Sequence, residues 1–255
     1  MSFASTRSRS EENRISPVFW VLVAVLATSA WGVATGTGNA RFGLFLFVVA
    51  GWMVSLCLHE YAHARTALHG GDITVGAKGY LTLNPLKYGH VLLSFVLPVI
   101  FVMLGGIGLP GGAVYIDRHR IQGRWKHSLV SAAGPLVNVA FAVVLMLLAR
   151  ADLYGDSMLP EALAFLAFLQ ITAALLNLLP VPGLDGYGIV EPWLSYKTRR
   201  AVEPFAPYSM LVLFAVFWQT EARYWLSDAA LWIMEQFGVR IGLVISGHDL
   251  FMFWQ

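Results

Sequence analysis

The chain has 255 residues, of which 57% are hydrophobic and only 13% charged, against about 25% charged in an ordinary soluble domain. A mean hydropathy of +0.64 leaves too little polar surface to cover a water-soluble fold, so the bilayer is the natural solvent. The net charge of +2 excludes the strongly basic footprint of a nucleic-acid binder, and a single cysteine, Cys57, excludes an internal disulfide and a cysteine-based zinc site.

Residues 1–16 are polar and read as a disordered lead. The apolar run that follows has no small-residue cleavage signature and reads as a retained first span, 17–40. Further uncharged runs cover 42–58, 129–149, 162–182 and 204–220. Residues 224–255 are apolar but hold Asp228, Glu235, Arg240 and Asp249, which suits one more span, an interfacial helix, or both. Each clear run approaches the roughly 20 residues that cross about 30 Å of hydrocarbon. The expected fold is an all-α polytopic membrane protein with about six transmembrane helices. A catalytic membrane core is expected over 41–200, with C-terminal transmembrane or interfacial helices over 201–255.

Two stretches break the helical pattern. Residues 88–116 contain no Asp, Glu, Lys or Arg, yet hold Pro98, Pro110 and six glycines. Irregular backbone at membrane depth survives only under protein cover or beside water, so this stretch reads as a re-entrant element. In 71–83, Ile73, Val75, Tyr80 and Leu83 alternate with small or polar residues, which predicts a short membrane-associated β-sheet.

Loop charge sets an orientation. Arg7, Arg9 and Arg14 precede the first span and place the N-terminus in the cytoplasm. Arg65, Lys78 and Lys87 follow the second span, and Arg118, Arg120, Arg124 and Lys126 precede the next clear one. These clusters share the cytoplasmic side only if 88–116 dips in and returns. Lys197, Arg199 and Arg200 fall on the same side.

The chemistry begins at His59-Glu60-Tyr61-Ala62-His63, an H-E-x-x-H at the end of an uncharged run. Four residues apart on a helix, both imidazoles share one face and can bind one ion. Glu60 is offset by about 100° and can activate a water without itself ligating. Two histidines and a glutamate at membrane depth are costly unless paired or ligated. The bland alternative is a polar cluster facing lipid headgroups.

A catalytic zinc site takes a third protein ligand and keeps one position open. The candidate is Asp185, in NLLPVPGLDG (177–186), just past an uncharged span. Prolines end that span and glycines allow a tight turn. The alternative is an N-cap aspartate for the next helix. The positive-inside count brings both motifs to the cytoplasmic leaflet at similar depth, as a shared metal requires. Asn138 and Asn177 are amides at membrane depth. Each reads either as a substrate-binding group or as helix–helix glue. His90, opening the irregular stretch, is a weaker candidate for the site, and Cys57 reads as packing.

In order and spacing, HEYAHA (59–64), LNPLK (83–87), AGPLVN (133–138) and NLLPVPGLDG (177–186) resemble the site-2 protease family of intramembrane zinc metalloproteases, over roughly 42–186. The resemblance implies a three-helix catalytic core and one Zn²⁺ per chain on His59, His63 and Asp185, with Glu60 as the catalytic glutamate. It implies transmembrane substrates such as anti-sigma factors or membrane-bound transcription regulators, first trimmed by a site-1-type protease. Tyr88-Gly89-His90-Val91 stands where relatives often carry His and Asp-Pro-x-Gly-Thr, which touches none of these ligands. No room is left for an inserted PDZ domain or a trailing CBS pair, so a compact type is expected. Two other readings remain at this stage. One is a membrane-anchored metalloprotease with a cytoplasmic site and a glutamate third ligand, for which Glu203 is the candidate. The other is a metal transporter or non-catalytic relic, which would not need Glu60.

Overall fold

The structure is a computed structural model that describes residues 14–88, 114–151, 153–219 and 221–254. Four of its helices are long and apolar enough to cross a membrane: α1 (Pro17–Thr35), α2 (Ala40–Gly70), α4 (Arg124–Ala149) and α5 (Leu159–Asn177). The shorter helices are α3 (Thr74–Ala77), α6 (Asp185–Val190), α7 (Tyr196–Val202), α8 (Ser209–Gln219), α9 (Ala222–Gln236) and α10 (Ile241–Phe251).

The helix ends follow from local chemistry. Ser16 caps α1 by accepting the Val18 N–H, Pro17 fills the position whose N–H needs no partner, and Gly36 closes the helix at φ 67°. Asn39 caps α2 through the Phe42 N–H.

α5 is the centre of the bundle. Residues from α2, α4, α5, α9 and α10 form one core, with Leu166, Leu169 and Ala164 of α5 fully buried in it. Small residues let neighbours come close. A Cβ on Gly51 of α2 would run into the Leu166 side chain, and one on Gly247 of α10 would lie 2.8 Å from the Phe165 Cβ and strike the Glu161 carbonyl. At the chain end, Phe251, Phe253 and Trp254 pack against Phe45 near the start of α2, with ring centroids 5.2 to 5.8 Å away.

Two expectations are corrected among the described residues. The expected β-sheet at 71–83 is instead α3 followed by a 3-10 turn at Tyr80–Thr82. Asp72 is buried and accepts the Thr74 N–H and hydroxyl on one oxygen, which starts a helical turn. Its other oxygen takes the Asp117 N–H, so it ties the end of α2 to the segment before α4. Gly79 at φ 75° then bends the chain away from extended geometry. Among the described residues, four helices are long and apolar enough to cross, against the expected count of about six. The runs at 204–220 and 224–255 resolve into α8, α9 and α10, of 11, 15 and 11 residues, too short to cross. The re-entrant expectation at 88–116 falls, apart from residues 88 and 114–116, outside the described residues, as does His90.

Candidate metal centre

α2 outlasts its apolar run by about three turns and carries His59, Glu60 and His63 on that extension, all buried. The two imidazoles lie one turn apart, with Nε2 to Nε2 3.0 Å. Each is held from behind. His59 Nδ1 is 2.5 Å from Asn138 Oδ1, and His63 Nδ1 is 2.7 Å from the Val130 carbonyl. Both partners are oxygen acceptors, so each Nδ1 donates and each Nε2 offers its lone pair to the same point. α4 supplies both acceptors. Pro135 has no N–H for the Ser131 carbonyl and loosens this part of α4.

Asp185 arrives from the other side. α5 ends at Asn177, and the chain reverses through Val181 N–H to Leu179 O (2.8 Å) and Leu184 N–H to Val181 O (3.0 Å), with Gly183 at φ 92°. Gly186 lets α6 press onto the Leu178 and Leu179 carbonyls, where a Cβ would not fit. The N-cap of α6 is Leu184, so the Asp185 carboxylate is not used for capping. It faces both imidazoles, with Oδ2 3.3 Å from His59 Nε2 and Oδ1 3.3 Å from His63 Nε2. α6 itself is fixed to α4: the Ser128 hydroxyl donates to the Ile189 carbonyl (2.6 Å) and accepts the Trp193 indole N–H (2.9 Å).

The ligating atoms of His59, His63 and Asp185 lie within 4.8 Å of one another and could hold a metal ion. Two imidazole nitrogens and one carboxylate oxygen suit zinc, which in catalytic sites takes three protein ligands and leaves one position open. A Cβ on Gly134 of α4 would collide with both Nε2 atoms, so the glycine of AGPLVN keeps the front of the imidazoles clear. Glu60 is buried beside them and accepts the Val114 N–H on Oε2 at 3.0 Å.

The other sequence candidates sort by position. Asn138 is engaged at both ends of its amide, by His59 and by Gln170 Oε1 (2.8 Å). Asn177 is buried as the last residue of α5. Among the described residues it makes no hydrogen bond to His59, His63 or Asp185. Glu203 is not in the cluster; it lines a cavity of about 610 Å³ with Arg118, Arg124, Glu191 and Arg199. Cys57 is packed among Phe19, Val54, Leu83 and Tyr88. Sequence reasoning passed over Ser55 and Gln170, both buried, which extend the hydrogen bonds behind His59. The available signal was an amide inside an apolar helix, the same signal that singled out Asn138.

No protein-family model matches the chain, and no solved structure was found to match it. Curated sequences do. The chain is 45% identical over 248 residues to "Putative zinc metalloprotease Rip2" of Mycolicibacterium smegmatis, covering 94% of this chain and 95% of that protein. It is 43% identical over 257 residues to the protein of the same name from Mycobacterium tuberculosis, covering 98% of each. Against "Putative zinc metalloprotease YwhC" of Bacillus subtilis, identity is 32% over 186 residues, covering 68% of this chain and 81% of that one. Similarity over nearly the full length of both chains, joined to the convergence of His59, His63 and Asp185, establishes that this chain belongs to the site-2 protease-like family of metalloproteases.

Proposed function

We propose that the chain is a zinc-dependent intramembrane endopeptidase that cleaves transmembrane segments of membrane-tethered regulators. The observation that carries this reading is the meeting of Asp185, from beyond α5, with His59 and His63 of α2, beside a buried glutamate. In this reading His59, His63 and Asp185 hold one Zn²⁺. Bound there, zinc supplies Lewis acidity: it polarises a carbonyl oxygen and brings the pKa of water down to about 7.

The protein groups do the rest. The Val114 N–H holds Glu60 Oε2, which leaves Oε1 to take the proton from the attacking water as general base and to return it to the leaving amine. The donor bonds to Asn138 and Val130 keep both imidazoles in the tautomer and orientation that ligation needs. A helical substrate shields its own carbonyls, so it must unwind locally before the water can attack. This favours substrates with helix-weakening residues near the cut.

The long apolar helices support a multi-pass protein of the cell membrane. The positions of Arg7, Arg9 and Arg14, and of the basic residues after α2 and before α4, support a cytoplasmic N-terminus and a site near the cytoplasmic face. The partners in this reading are the lipid bilayer and a single-span substrate, such as an anti-sigma factor or a membrane-bound transcription regulator, trimmed first by a site-1-type protease.

The test is co-expression of the wild type and Glu60→Gln with candidate single-span regulators. A cytoplasm-released fragment made by the wild type and lost in Glu60→Gln is the expected result. General acid–base groups contribute about 10²- to 10⁴-fold, so the loss should be at least that of the lower figure. A fragment released equally by both proteins would contradict the reading.

A further inference from the structure

A line of buried side chains runs from the back of His59 into the bundle. Asn138 Oδ1 faces His59 Nδ1 at 2.5 Å; Asn138 Nδ2 faces Gln170 Oε1 at 2.8 Å; Gln170 Nε2 faces Ser55 Oγ at 2.8 Å; and Ser55 Oγ reaches the Trp52 carbonyl at 2.8 Å. Gln170 is completely buried, and Ser55 and Asn138 are 2% and 5% exposed. Gln170 sits on α5 and Ser55 on α2, so the line crosses the most buried part of the molecule with no solvent to substitute for a lost partner.

The line has a direction, and one backbone atom sets it. A carbonyl can only accept, so the Ser55 hydroxyl donates to Trp52 O. Its oxygen then accepts, which requires Gln170 to present its amide nitrogen. Gln170 must therefore present its oxygen to Asn138, and Asn138 in turn must present its own oxygen to His59. The proton of His59 is thereby held on Nδ1, and Nε2 keeps the lone pair turned toward His63 and Asp185. Were the two amides flipped, Asn138 would offer N–H to Nδ1. The proton would then sit on Nε2, and that nitrogen could not ligate.

We infer that Gln170, with Ser55 behind it, is a positioning residue that fixes the tautomer of His59 through Asn138 and so tunes metal affinity. The inference rests on the metal centre under "Proposed function" and adds two residues that lie outside the HEYAHA, AGPLVN and NLLPVPGLDG stretches. Outer partners of metal-ligating histidines are worth about 10- to 100-fold in affinity.

The experiment is zinc affinity of the purified full chain by chelator competition, for Gln170→Leu alone and combined with Asn138→Asp. A carboxylate at position 138 accepts at either oxygen and cannot be flipped into a donor, so it makes Gln170 unnecessary for direction. Gln170→Leu is expected to weaken zinc binding by about 10- to 100-fold in the wild-type background and to have little effect beside Asp at 138. A role limited to packing would give the same loss in both backgrounds, and that result would overturn the inference. So would unchanged zinc affinity in Gln170→Leu. If Gln170→Leu does not accumulate, Ser55→Ala carries the same comparison: a smaller loss in the wild-type background, cancelled by Asn138→Asp, supports the inference, and an uncancelled or absent loss overturns it. Wild-type protein that takes up no zinc at all would instead overturn the metal centre, and this inference with it.

Discussion

α1 and α5 are the same kind of object as sequences. Both are 19-residue helices without Lys or Arg, and their best windows have mean hydropathies of 1.9 and 1.8. In the fold they are opposites: 17% of the α1 window is buried inside the protein, against 83% for α5. Hydropathy reports that a helix has left water, not whether its new surroundings are lipid or protein. What separates them is which residues meet protein and the polarity they carry. α1 exposes Trp20, Val21 and Trp31, residues that lipid solvates well, whereas the alanines of α5 at 162, 164, 167, 173 and 174 are all buried against neighbouring helices. α5 also carries Gln170, a group that lipid would penalise and that protein satisfies.

That contrast can be broken or sharpened by substitution. The largest expected effect is at Leu166, which is fully buried against Gly51. Leu166→Ala should cost about 2–5 kcal/mol through lost contacts and an unfilled cavity. Thermal unfolding in detergent measures it, and a loss below about 1 kcal/mol would mean that α5 is not the packed centre. Next comes Gly247→Ala on α10, where the added Cβ meets the backbone and Cβ atoms of α5 and cannot be accommodated by turning a side chain. Overpacking of this kind costs about 1–3 kcal/mol, seen as a lowered unfolding midpoint.

The third effect sits past the end of α2, where hydrogen bonds rather than core packing do the holding. Asp72 is desolvated, which raises its pKa, but the Thr74 hydroxyl, the Asp117 and Thr74 N–H groups and Lys78 outweigh this and hold the carboxyl below its ordinary value. A lowered carboxyl contributes stability above its unfolded pKa of about 3.9 and loses it as pH falls through the folded value. Asp72→Asn should therefore lower the unfolding midpoint at neutral pH, and the gap to the wild type should narrow below about pH 4. A gap that does not change with pH would show that the charge plays no part. The smallest effect closes the comparison: Val21→Ala on lipid-facing α1 should change stability by no more than about 0.5 kcal/mol, measured by the same unfolding assay used for Leu166→Ala.

The residues of the candidate metal cluster were more legible than the architecture around them. His59, Glu60 and His63 announce themselves by spacing, and Asp185 by lying among prolines and glycines at the end of an apolar run. Chemistry there depends on a few residue types at short range. The turn at 71–83 was misread because Ile73 and Val75 alternate with polar or small residues, while the deciding interaction is Asp72 reaching forward to Thr74 and across to Asp117. Alternation cannot reveal a side chain that recruits backbone groups 45 residues away. The C-terminal run 224–255 was read as one more span, an interfacial helix, or both, because apolar composition alone does not show where one helix ends. α9 stops at Gly238, with φ 75°, and α10 docks on α5 instead of continuing α9. Gln170 was overlooked although it carries the signal that singled out Asn138, an amide inside an apolar run, because it lies outside the motif-bearing stretches.

The central claim is that segments from either side of α4 and α5 share one ion. The direct measurement is zinc per chain in purified wild type, His63→Ala and Asp185→Ala, with Leu166→Ala as a destabilised control that leaves the ligands intact. The account predicts about one zinc per chain in the wild type and in the control, and loss of bound zinc in both ligand variants. Zinc retained at the wild-type level in Asp185→Ala, or no zinc in the wild type, would contradict it.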